Sequence, residues 1–467
     1  MPNMTTKFDL NCSPARSRGA VVKRPGQHGL APWLAPLVAP LVAPLVALCA
    51  LLAPTPGRAL EFGPFSLTGF AKVEATRVSD YCPDCQLEKN ENKQRFWADE
   101  LVQGKDYGAG NTHVTLFQPY LGAKFDLPRG FKVSGLLSQR WRDGKEDFKG
   151  YLYEGNVALS HEDYGSLRAG AMTTRAWSFA DFPYGTNVGV ADAWGSSGAG
   201  YGLLTRAVRY TSRLFDVAEG DLTLEATYDM GVRGWKKNKP SFWEVWAQFH
   251  KGDLVVDAMW QNARNGTPSA FSHGPFTGLT PFPSDDSALG SSGQSVALVM
   301  ARYQVDSKLE ISGGLRGNRW SGAYATITTA GAAGSFDQWN TMFNVDWTKN
   351  LGGGVFRGYP ATSLDLMLGA RYRFGAWTAS TAMVHLGPAA TANPSERGQT
   401  NSATINVAGL NHDFGSGIQL YGFVGMVNYA RLGLSPMSAP DNRAFTNIDS
   451  RLTTRGYWLG AGAVYVF

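Results

Sequence analysis

From Phe65 onward the chain alternates apolar and polar residues with a period of two, over runs of ten residues or more. In "FSLTGFAKVEATRV", Phe65, Leu67, Gly69, Ala71, Val73 and Ala75 alternate with Ser66, Thr68, Lys72, Glu74 and Thr76. The pattern returns in "FKVSGLLSQRWRDG", where Val133, Leu137 and Trp141 oppose Lys132, Ser134, Ser138, Arg140 and Arg142. It returns again in "GDLTLEATYD" and "SLDLMLGARYRF". Successive side chains of a strand point to opposite faces, so each run has one apolar and one polar face. Strands of soluble sandwiches run typically five or six residues; about ten residues is the length that crosses a bilayer. No helical period is sustained over a helix-length window.

A sheet of such strands with its apolar face in lipid must close on itself, because each unpaired backbone group there costs several kcal/mol. The expected fold class is therefore all-β, a transmembrane antiparallel β-barrel over residues 60–467. Tight connections at 127–130, 161–165, 250–253, 305–308, 373–377 and 413–417 alternate with long stretches at 79–112, 176–203, 263–292, 387–401 and 430–453. Short turns on one rim and long loops on the other are the layout of an outer-membrane barrel. Seventeen candidate strands can be counted, an odd number that conflicts with both chain ends on one rim. The expectation is 16 strands, with 18 as the alternative, and region 320–362 is where the count is ambiguous. Composition agrees: charged residues make up 17% of the chain, against about 25% in soluble domains.

The one long apolar run, Leu34 to Ala53, follows Arg16, Arg18, Lys23 and Arg24 and precedes Arg58-Ala59. A basic segment, an apolar segment and a small-residue exit read as a signal peptide over residues 1–59, and Pro36, Pro40 and Pro44 oppose the alternative of a straight membrane span. That segment holds six basic residues and one acid, so its removal leaves equal numbers of basic and acidic groups. No basic tract with interleaved aromatics suggests a nucleic acid partner, and no cofactor motif is present. Cys82 and Cys85 in "YCPDCQ" are the cysteines that stay. With no second C-x-x-C or nearby His to complete a metal site, the expectation is a loop disulfide in an oxidising compartment.

The chain finishes on "YWLGAGAVYVF", in which Tyr457, Leu459, Ala461, Ala463, Tyr465 and Phe467 share one face. This reads as a last barrel strand with Tyr465 and Phe467 in the aromatic girdle at the lipid boundary. It also resembles the terminal signature of outer-membrane proteins, in which a final aromatic residue is the signal for the assembly machinery.

The 28-residue stretch 176–203 lies between a strand with Gly165, Leu167 and Gly170 and one with Arg206, Val208, Arg209, Tyr210, Thr211 and Ser212. In these residues the chain resembles the Gram-negative general porins, in particular their β-proteobacterial branch. The resemblance implies that 176–203 is a third extracellular loop folded into the lumen as a constriction, that the protein is a homotrimer in outer-membrane lipid, and that periplasmic chaperones and the barrel assembly machinery handle it. A family arginine is replaced by Ala171, which makes the basic ladder differently built. Strand parity independently puts Arg140, Arg142, Arg168 and Arg209 on the polar face, a basic wall, while the loop supplies Asp181 and Asp192. Opposed charge across a water-filled constriction sets up a transverse field.

The leading function is a porin, an outer-membrane channel for passive diffusion of ions and small hydrophilic solutes, with no catalysis. A second reading is a substrate-selective channel in which Trp243 or Trp246 forms a lumen binding track. A third is a barrel enzyme, for which His113, His161, His250, His273, His385 and His412 are candidates, although they are scattered singly and no G-x-S-x-G appears.

Overall fold

The computed structural model describes residues 60–78, 110–146, 152–175, 202–229, 241–264, 269–272, 293–325, 345–350, 355–388, 402–415, 417–430 and 455–467. They form a closed antiparallel barrel of 16 strands. In chain order these are β1 Phe65–Val78, β2 Gly110–Asp126, β3 Lys132–Ser138 continued by Trp141–Arg142, and β4 Lys145–Glu146 continued by Glu154–His161. β5 Gly165–Thr173, β6 Gly202–Thr211, β7 Gly220–Asp229, β8 Ser241–Lys251, β9 Leu254–Arg264 and β10 Gly293–Gln304 follow. β11 Leu309–Ala325, β12 Val355–Phe374, β13 Trp377–Leu386, β14 Ala403–Asp413, β15 Ile418–Tyr429 and β16 Arg455–Val466 complete the ring. Each strand pairs with the next, and β16 pairs with β1 from Phe70↔Val466 to Val78↔Trp458, which leaves no open edge.

The odd seventeenth candidate now has an explanation. β11 and β12 pair from Leu309↔Tyr372 to Ala325↔Val355, through an irregularity at Trp320 and Gly322, and the short strand Val345–Asn350 adds onto β12 outside the ring. The tight turns all fall on the rim that carries both barrel ends. A seventh, 212–219, belongs with them, its Phe215–Val217 pairing with the start of β7.

Parity holds around the wall. Leu137, Leu224, Leu364, Leu368 and Leu459 are exposed on the outer face. Between them, on the inner face, Lys72, Glu74, Arg140, Glu225, Glu244 and Asp365 are buried. Aromatic side chains collect at the short-turn rim, as in Phe65–Phe125, Phe131–His161, Trp377–His412 and His412–Phe414. Flat amphipathic rings at that level match a lipid boundary.

The predicted last strand is in place. Phe467 and Gly69 exchange two backbone hydrogen bonds, of 2.9 and 3.0 Å. The Phe467 ring lies 6.2 Å from Phe117 and 5.8 Å from Tyr465. It also crosses Gly69, where a Cβ would come within 2.7 Å of it. Only a glycine leaves room for the ring there.

One expectation needs correction. The inner face is not polar throughout: Phe70, Leu116 and Val464 cluster there, and Val296, Leu298, Met300, Met367, Val384 and Ile405 are buried along β10 to β14. Period-two alternation averages over a strand and does not report a sector in which both faces are apolar.

Candidate functional site: the charged inner wall

The strand register turns the inner wall into rungs. On one rung Thr211, Glu225, Trp246, Met259, Leu298, Arg316 and Asp365 are successive partners across β6 to β12. On the next rung Arg168 pairs with Arg209, Arg209 with Thr227, Thr227 with Glu244, and Glu244 with Gln261. Two backbone features aim this region. Gly165 and Gly170 have φ of +81° and +128°, and a Cβ at either would meet a backbone oxygen at 2.3 Å. They are the two glycines of the motif read from the sequence.

Ion pairs knit the rungs together. Arg209 donates through Nε to Thr227 Oγ1 at 2.8 Å and through Nη2 to the Thr173 carbonyl at 2.8 Å. It also lies 3.1 Å from Glu225 and 3.4 Å from Glu244. Arg175, just past the end of β5, donates to both oxygens of Glu225 at 2.6 and 2.5 Å. Its backbone N–H donates to Glu244 at 2.8 Å, and its guanidinium lies 4.4 Å from the centre of the Trp246 ring. Thr211 donates to Glu225 at 2.8 Å, Gln248 to Asp257 at 2.8 Å, and Thr173 to Glu154 at 3.2 Å. Charged groups taken out of bulk water keep their charge only when neighbours compensate it. This sector does so with two arginines shared between carboxylates.

A second charged sector lies at the seam. Lys72 pairs with Glu74 at 2.8 Å, Glu74 accepts from Tyr421 at 2.7 Å, and Lys72 sits 5.6 Å from the Tyr421 ring centre. Arg140 donates to Gln118 at 2.6 Å and Tyr153 at 3.1 Å, with its guanidinium 4.4 Å from the Tyr153 ring centre. Arg142 is buried on the same face.

All four predicted arginines therefore point inward, but they divide: Arg140 and Arg142 on β3 near the seam, Arg168 and Arg209 on β5 and β6 beside the carboxylates. The sequence reading did not single out Arg175, Glu225, Glu244 or Asp257 as a group. Parity was enough to place Glu225 and Glu244 on the inner face; their convergence on Arg175 depends on register, which parity does not give. Of the two tryptophans proposed for a lumen track, Trp246 points inward. Trp243 does not: it is 48% exposed on the outer face, its ring 4.3 Å from that of Tyr228. Residues three apart in a strand cannot share a face. Asp181, Asp192, Cys82, Cys85 and His273 lie outside the described residues, as do 1–59 and 176–201.

An apolar cavity of about 690 Å³ sits over β7 to β11, lined by Ala226, Ala247, Ala258, Trp260, Ala297 and Leu315 among others. The six named residues share the lipid-facing parity, while Glu225, Trp246, Met259 and Leu298, of inward parity, also border it. Among the described histidines, His161 and His412 belong to the aromatic rim, and His161 contacts the turn residue Asp163 at 3.8 Å.

No family model matches the chain, and no curated protein matches it. Solved structures do. An anion-selective porin from Comamonas acidovorans superposes with a TM-score of 0.55 at 11% identity, over 86% of this chain and 99% of that one. OmpT, an outer-membrane protein of Vibrio cholerae, gives 0.52 at 11% identity over 88% and 100%. Salmonella typhi OmpF, solved with daunomycin, gives 0.52 at 12% identity over 88% and 100%. At these identities the likeness is one of fold. The class that fold and wall define is an outer-membrane-type β-barrel with a charged interior.

Proposed function

We propose that the chain is a porin, a water-filled outer-membrane channel that passes ions and small hydrophilic solutes by diffusion and performs no catalysis. The observation that carries this reading is the inner wall of β5 to β9, where arginines and carboxylates stand in register on neighbouring strands behind outward apolar side chains. Charge arranged this way has a use where ions and water pass. The reading extends to a signal peptide over 1–59, removed in transit, and to a disulfide between Cys82 and Cys85. It also takes 176–203 as an inward constriction loop that brings Asp181 and Asp192 toward the wall. Support for the last comes from Arg175 at the root of that segment, which is tied to Glu225 and Glu244 on the inside. A homotrimer fits the reading, and one of the structural neighbours is a trimer form of OmpT.

A substrate-selective channel is favoured by one specific feature, the inward Trp246 with a guanidinium stacked on it. The test is planar-bilayer conductance of the purified barrel. Large ohmic steps closing in threes are expected. Small steps saturated by one solute would move the assignment to a selective channel, and silence would overturn both.

A further inference from the structure

We propose that Glu225, Glu244 and Trp246 form a seat for a guanidinium-bearing solute, occupied in the unliganded chain by its own Arg175. This rests on the channel reading above and names the solute class that the wall selects.

The seat has the parts that recognise a flat cation. Glu225 takes the Arg175 fork on both oxygens, at 2.6 and 2.5 Å, and Trp246 offers its ring face 4.4 Å from the same guanidinium. Bidentate carboxylate pairing and stacking on indole both favour guanidinium over a spherical cation. The carboxylates of the seat are buried on barrel strands, and the occupant lies past a strand end. Glu225 and Glu244 side chains are 1% and 0% exposed on β7 and β8, whereas Arg175 lies beyond the last residue of β5 with 29% of its side chain exposed. Displacement leaves no bare carboxylates, because Arg209 already contacts both Glu225 and Glu244.

A further observation points to a ligand. The Trp246 indole N–H is buried and has no hydrogen-bond partner. A buried donor is normally paired. Arg175 cannot pair it, since a guanidinium has only donors; a solute that joins a guanidinium to a hydroxyl, carbonyl or carboxylate supplies the missing acceptor.

The experiment compares block of single-channel current by methylguanidinium and by tetramethylammonium, which has equal charge and no N–H donors. In the wild-type chain methylguanidinium should half-block at about a tenfold lower concentration, and in Arg175→Ala, with the internal occupant gone, at about a further tenfold lower. Glu225→Gln should erase the difference. Where Arg175→Ala does not fold, Arg175→Lys keeps the charge without the fork and should shift block in the same direction by less. Equal block by the two cations in wild type and Arg175→Ala, or a preference that survives Glu225→Gln, would overturn the seat while leaving the channel intact. Absence of any conductance would instead sink the channel reading. The seat is then tested in detergent: methylguanidinium raises the unfolding temperature of folded Arg175→Ala if the seat exists, and no rise overturns it.

Discussion

The same rung runs through two different interiors. Across β6 to β8 it carries Thr211, Glu225 and Trp246, with Arg175 and Arg209 bridging carboxylates above and beside them. Across β9 to β12 it carries Met259 and Leu298 and then a charge pair, Arg316 with Asp365, at 3.0 and 2.7 Å. In the first sector Glu225 pairs with Arg175 and Arg209, and Glu244 meets Arg209 and the Arg175 backbone N–H; in the second, Asp365 holds Arg316 and accepts the Gly387 N–H, with Met300, Met367 and Val384 buried in the same sector. Both arrangements bury charge, but in the first a single arginine, Arg209, is shared by two carboxylates. That sharing suits the channel proposed above.

The largest effects should come from cutting each sector open. Asp365→Ala removes the carboxylate that holds the buried Arg316 at 3.0 and 2.7 Å and should cost about 3–5 kcal/mol. The double replacement Arg316→Met with Asp365→Leu should recover most of that, since a buried pair is often matched by well-packed apolar groups. In the shared sector Glu225→Ala should cost a similar amount, but Arg175→Met with Glu225→Leu should recover little, because Arg209 then loses one of its two carboxylates. Urea unfolding of the four variants in detergent measures this directly. Equal recovery in both sectors would show that the shared network has no special character.

Selectivity should separate the sectors next. Glu244→Gln removes a charge held by Arg209 and the Arg175 backbone and should move the reversal potential in a salt gradient toward anions. Asp365→Asn, in the pair of the apolar sector, should move it less. A larger shift from Asp365→Asn would place the ion path along β10 to β13 instead.

A smaller, local effect concerns the seam. Gly69→Val would place a Cβ within 2.6 Å of the Gln118 carbonyl and 2.7 Å of the Phe467 ring. Overpacking of this kind costs about 1–3 kcal/mol, and it should lower the heat-unfolding temperature of the folded barrel. If the temperature does not move, the Phe467 ring is free to leave Gly69 and does not fasten the seam.

These comparisons show where sequence was sufficient. Parity alone assigns Glu225, Asp365 and the four arginines to the polar face, because the pleat leaves no alternative once a strand is long and one face is apolar. It also found Phe467, which an apolar end among alternating residues explains. What parity lacks is register. Nothing in "LRAGAMTTRAW" says that Arg175 reaches Glu225, which lies 50 positions away and is brought close by the pairing of β5, β6 and β7. The apolar sector was hidden for another reason: Val296, Leu298 and Met300 alternate with Ala297 and Val299, so β10 carries no contrast between its faces.

The smallest expected effect lies at the β10–β11 turn, on the rim away from both sectors. Asp306 Oδ1 accepts the backbone N–H groups of Lys308 at 2.7 Å and Leu309 at 2.8 Å. Those bonds favour the ionised carboxylate and hold its pKa below the ordinary value, with Lys308 adding a small attraction. A folded pKa below the unfolded one means that the turn is stabilised at pH above about 3.9, the usual carboxylate value. That support is lost as pH falls through the depressed value. Amide exchange at Lys308 and Leu309 should therefore quicken in acid beyond its intrinsic pH trend, and Asp306→Asn should abolish the step while leaving the ion pairs of the wall untouched. If the step persists in Asp306→Asn, the loss of protection belongs to the barrel as a whole, and the independence of rim from wall fails with it.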